Sequence, residues 1–223
     1  MKRVVNYMIM FIFSAFAATA ALAQDYMEGA EYKKLANPQK TASADKIEVV
    51  ELFWYGCPHC YYLEPHVKKW QASKPEDVEF IRLPAILGPS WELLARAWYT
   101  ADLLNVTDTI HPALFEEIHD HKKKFTKPDA VRRFFLARGV SNDDFDKTFN
   151  SFAVAVKVNN ARLMTQRYAI TGVPTMIVNG KYSTSASLAG GNPEVMQVVD
   201  FLVQQEREQA MAAPAPAAAA SGQ

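Results

Sequence analysis

Cysteine is almost missing from this sequence. Its 223 residues hold two, Cys57 and Cys60. That excludes a small disulfide-dense scaffold, which needs several bridges. It also leaves a closed zinc site without a second Cys-x-x-Cys pair to complete four ligands. Net charge is missing too: Lys and Arg total 24, and so do Asp and Glu. Binding to a phosphate backbone normally shows as a clear basic excess, so no nucleic-acid partner is expected. Beyond the N-terminus there is no apolar run long enough to span a bilayer, and no internal repeat.

What is present begins with an export pattern. Lys2 and Arg3 make a basic start, an apolar run follows to Ala18, and Ala21-Leu22-Ala23 gives the small-x-small pattern of a cleavage site. The expected mature chain starts at Gln24 and is slightly acidic once Lys2 and Arg3 are gone. The alternative is an uncleaved membrane anchor, which the shortness of the apolar run opposes. The residue immediately after the cleavage site is Gln24 rather than a cysteine, which argues against a lipid anchor.

Ile47 to Trp54 reads as a strand rich in β-formers, apolar enough to lie in the middle of a sheet covered on both faces. Glu51 is the exception in that strand. A carboxylate there is costly unless it is paired or used, or unless the position is a wet edge. The strand runs into Cys57-Pro58-His59-Cys60, and a helix pattern runs out, with Pro58 in its first turn. Pro65 predicts a kink or a break before Val67 and Trp70 resume the apolar face. Lys74-Pro75-Glu76-Asp77 is a turn, and Val78 to Leu83 a second strand, at a distance suited to a strand-helix-strand crossover.

From Trp91 to about Asn150 only helical spacing is seen. Trp91, Leu94, Ala95 and Trp98 recur on one face, as do Leu114, Phe115 and Ile118. Thr126 and Pro128 open a third helix carrying Val131, Phe134 and Phe135 and ending at Gly139. Ser141 and Asp144 form a capping box ahead of Phe145 and Phe149. Phe152 to Tyr168 is a longer helix. Thr175 to Val178 and Lys181 to Thr184 form a hairpin around Asn179-Gly180, a type I′ signal. Gly190-Gly191-Asn192-Pro193 opens a last helix, followed by an Ala/Pro-rich tail.

A Cys-x-x-Cys pair at a strand-to-helix turn can close to a disulfide or open to two thiols with little backbone movement. The first cysteine lies at the helix N-terminus, where unpaired N–H groups and the dipole favour its thiolate. His59 can add positive charge or a hydrogen bond. Stabilising the thiolate stabilises the reduced form and makes the disulfide a stronger oxidant. A purely structural crosslink is the bland alternative, but so short a loop removes little unfolded-state entropy. Cys57 is expected to be the exposed, attacking sulfur and Cys60 the resolving one. The metal alternative would need His111, His119 or His121. His119 and His121 are two apart and point to different helix faces, and each of the three reads better as a surface or helix-cap residue. Asn105-Val106-Thr107 matches a glycosylation sequon, a weak pattern. Val173-Pro174, between a helix end and a strand, is either an ordinary turn or a cis bond that turns the Val173 backbone toward the dithiol to pair with an extended peptide.

The run Glu51-Leu52-Phe53-Trp54-Tyr55-Gly56-Cys57-Pro58-His59-Cys60-Tyr61, the helices after Trp91, Thr171-Gly172-Val173-Pro174-Thr175 and Val178 to Tyr182 together resemble the DsbA family of bacterial periplasmic thiol:disulfide oxidoreductases. The likeness covers residues 45 to 205. It implies an α/β, thioredoxin-like fold with an inserted all-helical domain. The corresponding division is a signal peptide (1–23), a thioredoxin-like domain (24–88 and 151–209), a helical insert (89–150) and a disordered tail (210–223). The implied site is Cys57, Cys60, His59, Pro58 and Glu51, with Val173 and a cis Pro174 against the substrate. Glu51 corresponds to the family's buried acid, which assists proton transfer at Cys60. Arg82 stands where its basic partner is expected, and a lysine is the better-known residue there.

No bound cofactor is implied, only the Cys57–Cys60 disulfide. The implied partners are exported proteins with reduced cysteines and a DsbB-like, quinone-linked inner-membrane oxidase. The implied setting is the periplasm, and the implied state a monomer. A periplasmic reductase or isomerase is the nearest competitor. Isomerases of that compartment generally carry an extra N-terminal dimerisation domain, for which residues 24–46 leave no room. A peptide-binding chaperone module is the non-enzymatic alternative.

Overall fold

The computed structural model of the chain describes residues 25–43 and 45–212. The expected signal peptide and residues 213–223 lie outside them. The described residues form a sheet of five strands in the order β1-β5-β4-β2-β3. They are β1 (Lys33–Lys34), β2 (Ile47–Phe53), β3 (Val78–Pro84), β4 (Thr175–Val178) and β5 (Tyr182–Thr184). β2 lies between β3, parallel to it, and β4, antiparallel to it. Six of its seven residues are buried, as its continuous apolar character requires. β1 comes from a stretch too polar to read as a strand. It is held at the edge by backbone pairing of Lys33 with Ser183 and Lys34 with Tyr182.

Side chains alternate across β2. Val49 packs with Leu63, Val67 and Trp70 of α1 (Pro58–Ser73), together with Val195, Val199 and Leu202 of α8 (Asn192–Ala212). Val50 and Leu52 pack on the other face with Ile177, Tyr168 and Met164. The crossover between β2 and β3 is α1, which passes through Pro65 as one helix. The expected break is absent. Burial of Cys60, Leu63, Val67 and Trp70 along a single face holds both halves of the helix in register and outweighs the lost backbone hydrogen bond. At the other end, α8 carries residues 210–212 as helix, three residues into the stretch assigned to the tail. These residues are Ala, Met and Ala, all strong helix formers.

Five helices intervene between β3 and β4: α2 (Glu92–Leu103), α3 (Thr107–His119), α4 (Pro128–Leu136), α5 (Asn142–Phe149) and α6 (Phe152–Arg167). A short α7 (Ala186–Ala189) precedes α8. Leu94 and Trp98, Leu114 and Phe115, Val131, Phe134 and Phe135, and Phe145 and Phe149 form one core. That core also contains Phe53, Tyr55, Cys57 and Cys60, so the insert and the cysteine motif share a hydrophobic centre. Ser141 caps α5 by accepting from the Asp144 N–H at 3.1 Å, and its hydroxyl donates to the Asp144 carboxylate at 2.7 Å. The second bond replaces the backbone bond of a full capping box.

The β4–β5 hairpin turns at Asn179 (φ 50°) and Gly180 (φ 63°), the two positive angles of a type I′ turn. A side chain at Gly180 would meet the Gln39 carbonyl, 2.1 Å from an added Cβ. That carbonyl belongs to a segment tied down by the Gln39 N–H donating to Gly180 O at 2.8 Å. Replacing Gly180 with Ala is therefore expected to destabilise the fold by about 2 kcal/mol, a fall of roughly 4–8 °C in Tm for a chain of this size. Calorimetry on the variant checks this, and an unchanged Tm contradicts the packing described.

Candidate active site

The site starts from a change of backbone direction. β2 ends at Phe53, and a turn closes with the Cys57 N–H donating to Trp54 O at 2.9 Å. Trp54 stacks on Trp91 with centroids 4.2 Å apart and planes 11° from parallel. Gly56 lies against that ring, so closely that an added Cβ would be 2.4 Å from it. Only a residue without a side chain fits there. Cys57 is the N-cap of α1 and Pro58 follows at the start of the helix, where no amide hydrogen is missed.

The two sulfurs have opposite surroundings. Cys57 is lowered from the ordinary thiol range to about 6. The first cause is the hydrogen bond it receives from the Cys60 thiol. Burial works against it, and the backbone N–H groups of Cys60 and His59 and the charge of His59 add to the lowering. Cys60 is pushed far upward, mainly by burial and then by its bond and repulsion toward Cys57. Both are free thiols. Cys60 is fully buried and Cys57 is 9% exposed. Cys57 is thus the more accessible sulfur but less open than the sequence suggests, because the insert and the Val173 loop close over it. His59 and Pro58 are exposed beside it.

Val173 and Pro174 are brought to the cysteines from across the fold. The Val173–Pro174 peptide is cis, and Cys57 Sγ is 3.4 Å from the Val173 carbonyl oxygen, to which its thiol can donate. A cleft of about 630 Å³ runs from His59 along Ile170 to Thr175 and on to Ser185.

Glu51 is fully buried on the α1 side of the sheet, which rules out a wet edge. Arg82 is its register partner on β3 and donates from Nε to Glu51 Oε2 at 3.0 Å. The Oε1 atom is buried without a hydrogen-bond partner among the described residues. Burial raises the Glu51 carboxyl to about 7; Arg82 opposes the rise and Glu64 adds to it.

Of the three histidines, His111 departs from expectation. His111 is buried, not on the surface. It bonds Tyr55 through Nδ1 at 2.9 Å and Glu64 through Nε2 at 3.0 Å, and burial lowers its pKa. His119 does end its helix, but its Nε2–H donates to the Tyr55 carbonyl at 2.8 Å and its ring stacks on Tyr61 at 5.0 Å. The Tyr61 hydroxyl donates to Asp120 at 2.7 Å, which raises its pKa to about 12. His121 is exposed and beside Glu117. Among the described residues no cluster of three or more His, Cys, Asp or Glu side chains is placed to hold a metal ion. Reading the sequence missed Glu64, His111, His119 and Trp91 as neighbours of the site. Only Glu64 left a signal, four residues and so one helical turn after Cys60. The other three arrive from the insert.

With this geometry in view, comparison with known proteins is direct. Residues 48–203 match the family described as DSBA-like thioredoxin domain. The chain is 43% identical over 188 residues to the thiol:disulfide interchange protein DsbA of Pseudomonas aeruginosa, covering 84% of this chain and 89% of that one. It is 42% identical over 200 residues to the protein of the same name from Pseudomonas syringae pv. tomato, covering 90% and 94%. The crystal structure of Pseudomonas aeruginosa DsbA superposes with a TM-score of 0.81 at 42% identity, over 85% of this chain and 98% of that one. The oxidoreductase DsbA from Xylella fastidiosa gives 0.76 at 34%, over 82% and 98%. The turn that carries the two cysteines, the strand beneath it and the helices that close over it are thus shared along nearly the whole described length, and the chain belongs to the DSBA-like thioredoxin domain family.

Proposed function

We propose that this protein is a thiol:disulfide oxidoreductase that donates its Cys57–Cys60 disulfide to cysteines of newly exported proteins. The observation that carries the reading is the asymmetry of the two sulfurs: a stabilised thiolate at the start of α1 above a fully buried thiol. The thiol:disulfide interchange proteins to which the chain is similar support it. The reading includes the division into a thioredoxin-like domain (24–88 and 151–209) and a helical insert (89–150). It includes export to the periplasm, supported by the N-terminal sequence pattern. Among the described residues no helix is long and apolar enough to cross a membrane. It also includes a monomeric state and reoxidation by a quinone-linked membrane oxidase similar to DsbB.

The reaction begins with a substrate thiolate attacking Cys57 Sγ. The Cys57–Cys60 bond breaks, and its electron pair goes to Cys60 Sγ, which takes up a proton. Glu51 is positioned to supply it, since its carboxyl holds a proton near neutrality. The backbone of Val173, beside Cys57 Sγ, pairs with the extended substrate, and Pro174 forms the wall next to it. A second substrate thiolate then attacks the substrate sulfur of the mixed disulfide. Cys57 leaves as a thiolate, the substrate leaves with one new disulfide, and two electrons have passed to the enzyme. Because the leaving thiolate is already stabilised, release is favoured.

Equilibration with glutathione is the direct test. The wild-type pair is expected to be far more oxidising than glutathione, and replacement of Cys57 by Ser to abolish oxidation of a dithiol peptide. Full activity in that variant sinks the assignment. A strongly reducing equilibrium would point instead to a reductase, and repair of a scrambled substrate to an isomerase. Replacing His59 with Ala should raise the Cys57 pKa and make the pair more reducing. An exposed charge contributes at most about 1 kcal/mol, so the equilibrium should move by no more than about fivefold. Thiolate absorbance that titrates unchanged removes His59 from the mechanism. The pH dependence follows from the sign of the two shifts. Above about pH 6 Cys57 stays ionised when reduced, so reduction takes up one proton, on Cys60; below it, two. The potential should fall by about 30 mV per pH unit above that value and by about 60 mV below it. A steep slope persisting to pH 8 would mean that Cys57 is an ordinary thiol.

A further inference from the structure

Arg82 serves two carboxylates. Its Nε donates to Glu51 Oε2 at 3.0 Å, and its Nη2 donates to Glu64 Oε2 at 3.0 Å. The other oxygen of Glu64 is held by His111 Nε2 at 3.0 Å. Charge and geometry together settle the tautomer. Burial opposes ionisation of Glu64, but its bonds to His111 and Arg82 prevail and keep it below the usual carboxylate range. An ionised carboxylate can only accept, so Nε2 of His111 carries a hydrogen, and because burial favours the neutral ring, Nδ1 is bare. Nδ1 therefore accepts from the Tyr55 hydroxyl at 2.9 Å.

An unbroken chain results. It runs from Tyr55, two residues before Cys57, through His111 of the insert, Glu64 of α1 and Arg82 of β3, to Glu51 beneath Cys60. One guanidinium divided between two carboxylates neutralises neither in full, and the two repel each other. The Oε1 of Glu51, buried and without a partner among the described residues, suits a carboxyl that is left short of positive charge.

We propose that Glu64, held in place by His111 of the helical insert, is a positioning residue that withholds part of Arg82 from Glu51 and thereby sets how tightly Glu51 keeps its proton. The insert thus tunes the proton step at Cys60 from the far side of α1, without touching substrate. The inference rests on the reading of Glu51 as the proton donor. The groups facing Glu51 are Arg82 from β3, Cys60 and Glu64 from α1, and Tyr55 from the turn, while β4 brings the apolar Met176. Glu64 also borders a cleft of about 880 Å³ whose lining includes Lys68, Asp102, Asp108 and Lys157. Among the described residues only Arg82 and His111 bond its carboxylate.

Removing the Glu64 charge gives Arg82 wholly to Glu51 and ends the repulsion, so Glu51 should release its proton more readily. The test follows the Glu51 carboxyl carbon by NMR in the reduced full chain, with Glu51→Gln identifying the resonance. Glu64→Gln is expected to lower the titration midpoint by about one unit, a tenfold change in proton affinity. His111→Phe keeps the ring volume but removes both hydrogen bonds, so Glu64 takes up a proton more easily and the Glu51 midpoint falls in the same direction. His111→Gln can donate to Glu64 and accept from Tyr55, and should restore the wild-type midpoint. A midpoint that is unmoved or raised in Glu64→Gln overturns the proposal. If that variant does not fold, His111→Phe and His111→Gln titrating alike overturn it, and their separation supports it. The parent reading fails separately: Glu51→Gln oxidising a dithiol peptide at the wild-type rate across the pH range removes Glu51 as proton donor, whatever the carboxyl titrations show.

Discussion

A thiolate needs hydrogen-bond donors and a sulfur that can leave needs somewhere to put its charge; the arrangement around Cys57 meets both demands. The helix N-terminus offers N–H groups with no other partner, and the Cys60 thiol adds a bond of its own. Everything beneath has to be rigid and dry for this to matter. Rigidity comes from β2, locked between β3 and β4, and from the stack of Trp54 on Trp91. Dryness comes from the insert, whose aromatic core continues into Phe53, Tyr55 and both cysteines. In that medium Cys60 cannot ionise, so electrons that arrive there need a proton with them.

On the proposed reading of Glu51 as proton donor, that requirement accounts for its position. A lone carboxylate in the middle strand would be a severe burden on the fold. Paired with an undivided arginine it would be a permanent anion, unable to give up a proton. Arg82 shared with Glu64 leaves it between these limits. Two histidines of the helical insert reach the active-site turn and the charges beneath it. His119 grips the turn at the Tyr55 carbonyl, and His111 reaches the buried charge cluster through Glu64. Both histidines look like surface residues when read along a single helix, because their hydrogen-bond partners lie more than forty residues away.

Local signals were strong enough for most of the scaffold. Continuous β-formers identified β2, a single turn dipeptide identified the β4–β5 hairpin, and helical spacing identified the insert, since each rule acts within a few residues. Where local rules failed, a distant contact had overridden them. Pro65 stays inside α1 because the buried face of the helix spans it. Lys33 and Lys34 become a strand because the edge of β5 is open to them. The last helix runs on to Ala212, where a compositional boundary alone suggested a tail.

The chemistry divides in the same way. Two cysteines spaced for a helix N-terminus, a histidine between them, a carboxylate in an apolar strand and a Val-Pro before another strand were all determined by the sequence, because spacing and residue type suffice to place them on elements. Only the tertiary structure decided how exposed each sulfur is, which side of the sheet Glu51 faces and which side chains share Arg82. Those properties depend on desolvation and on partners brought together from α1, β3 and α3, and neither is a property of any one segment.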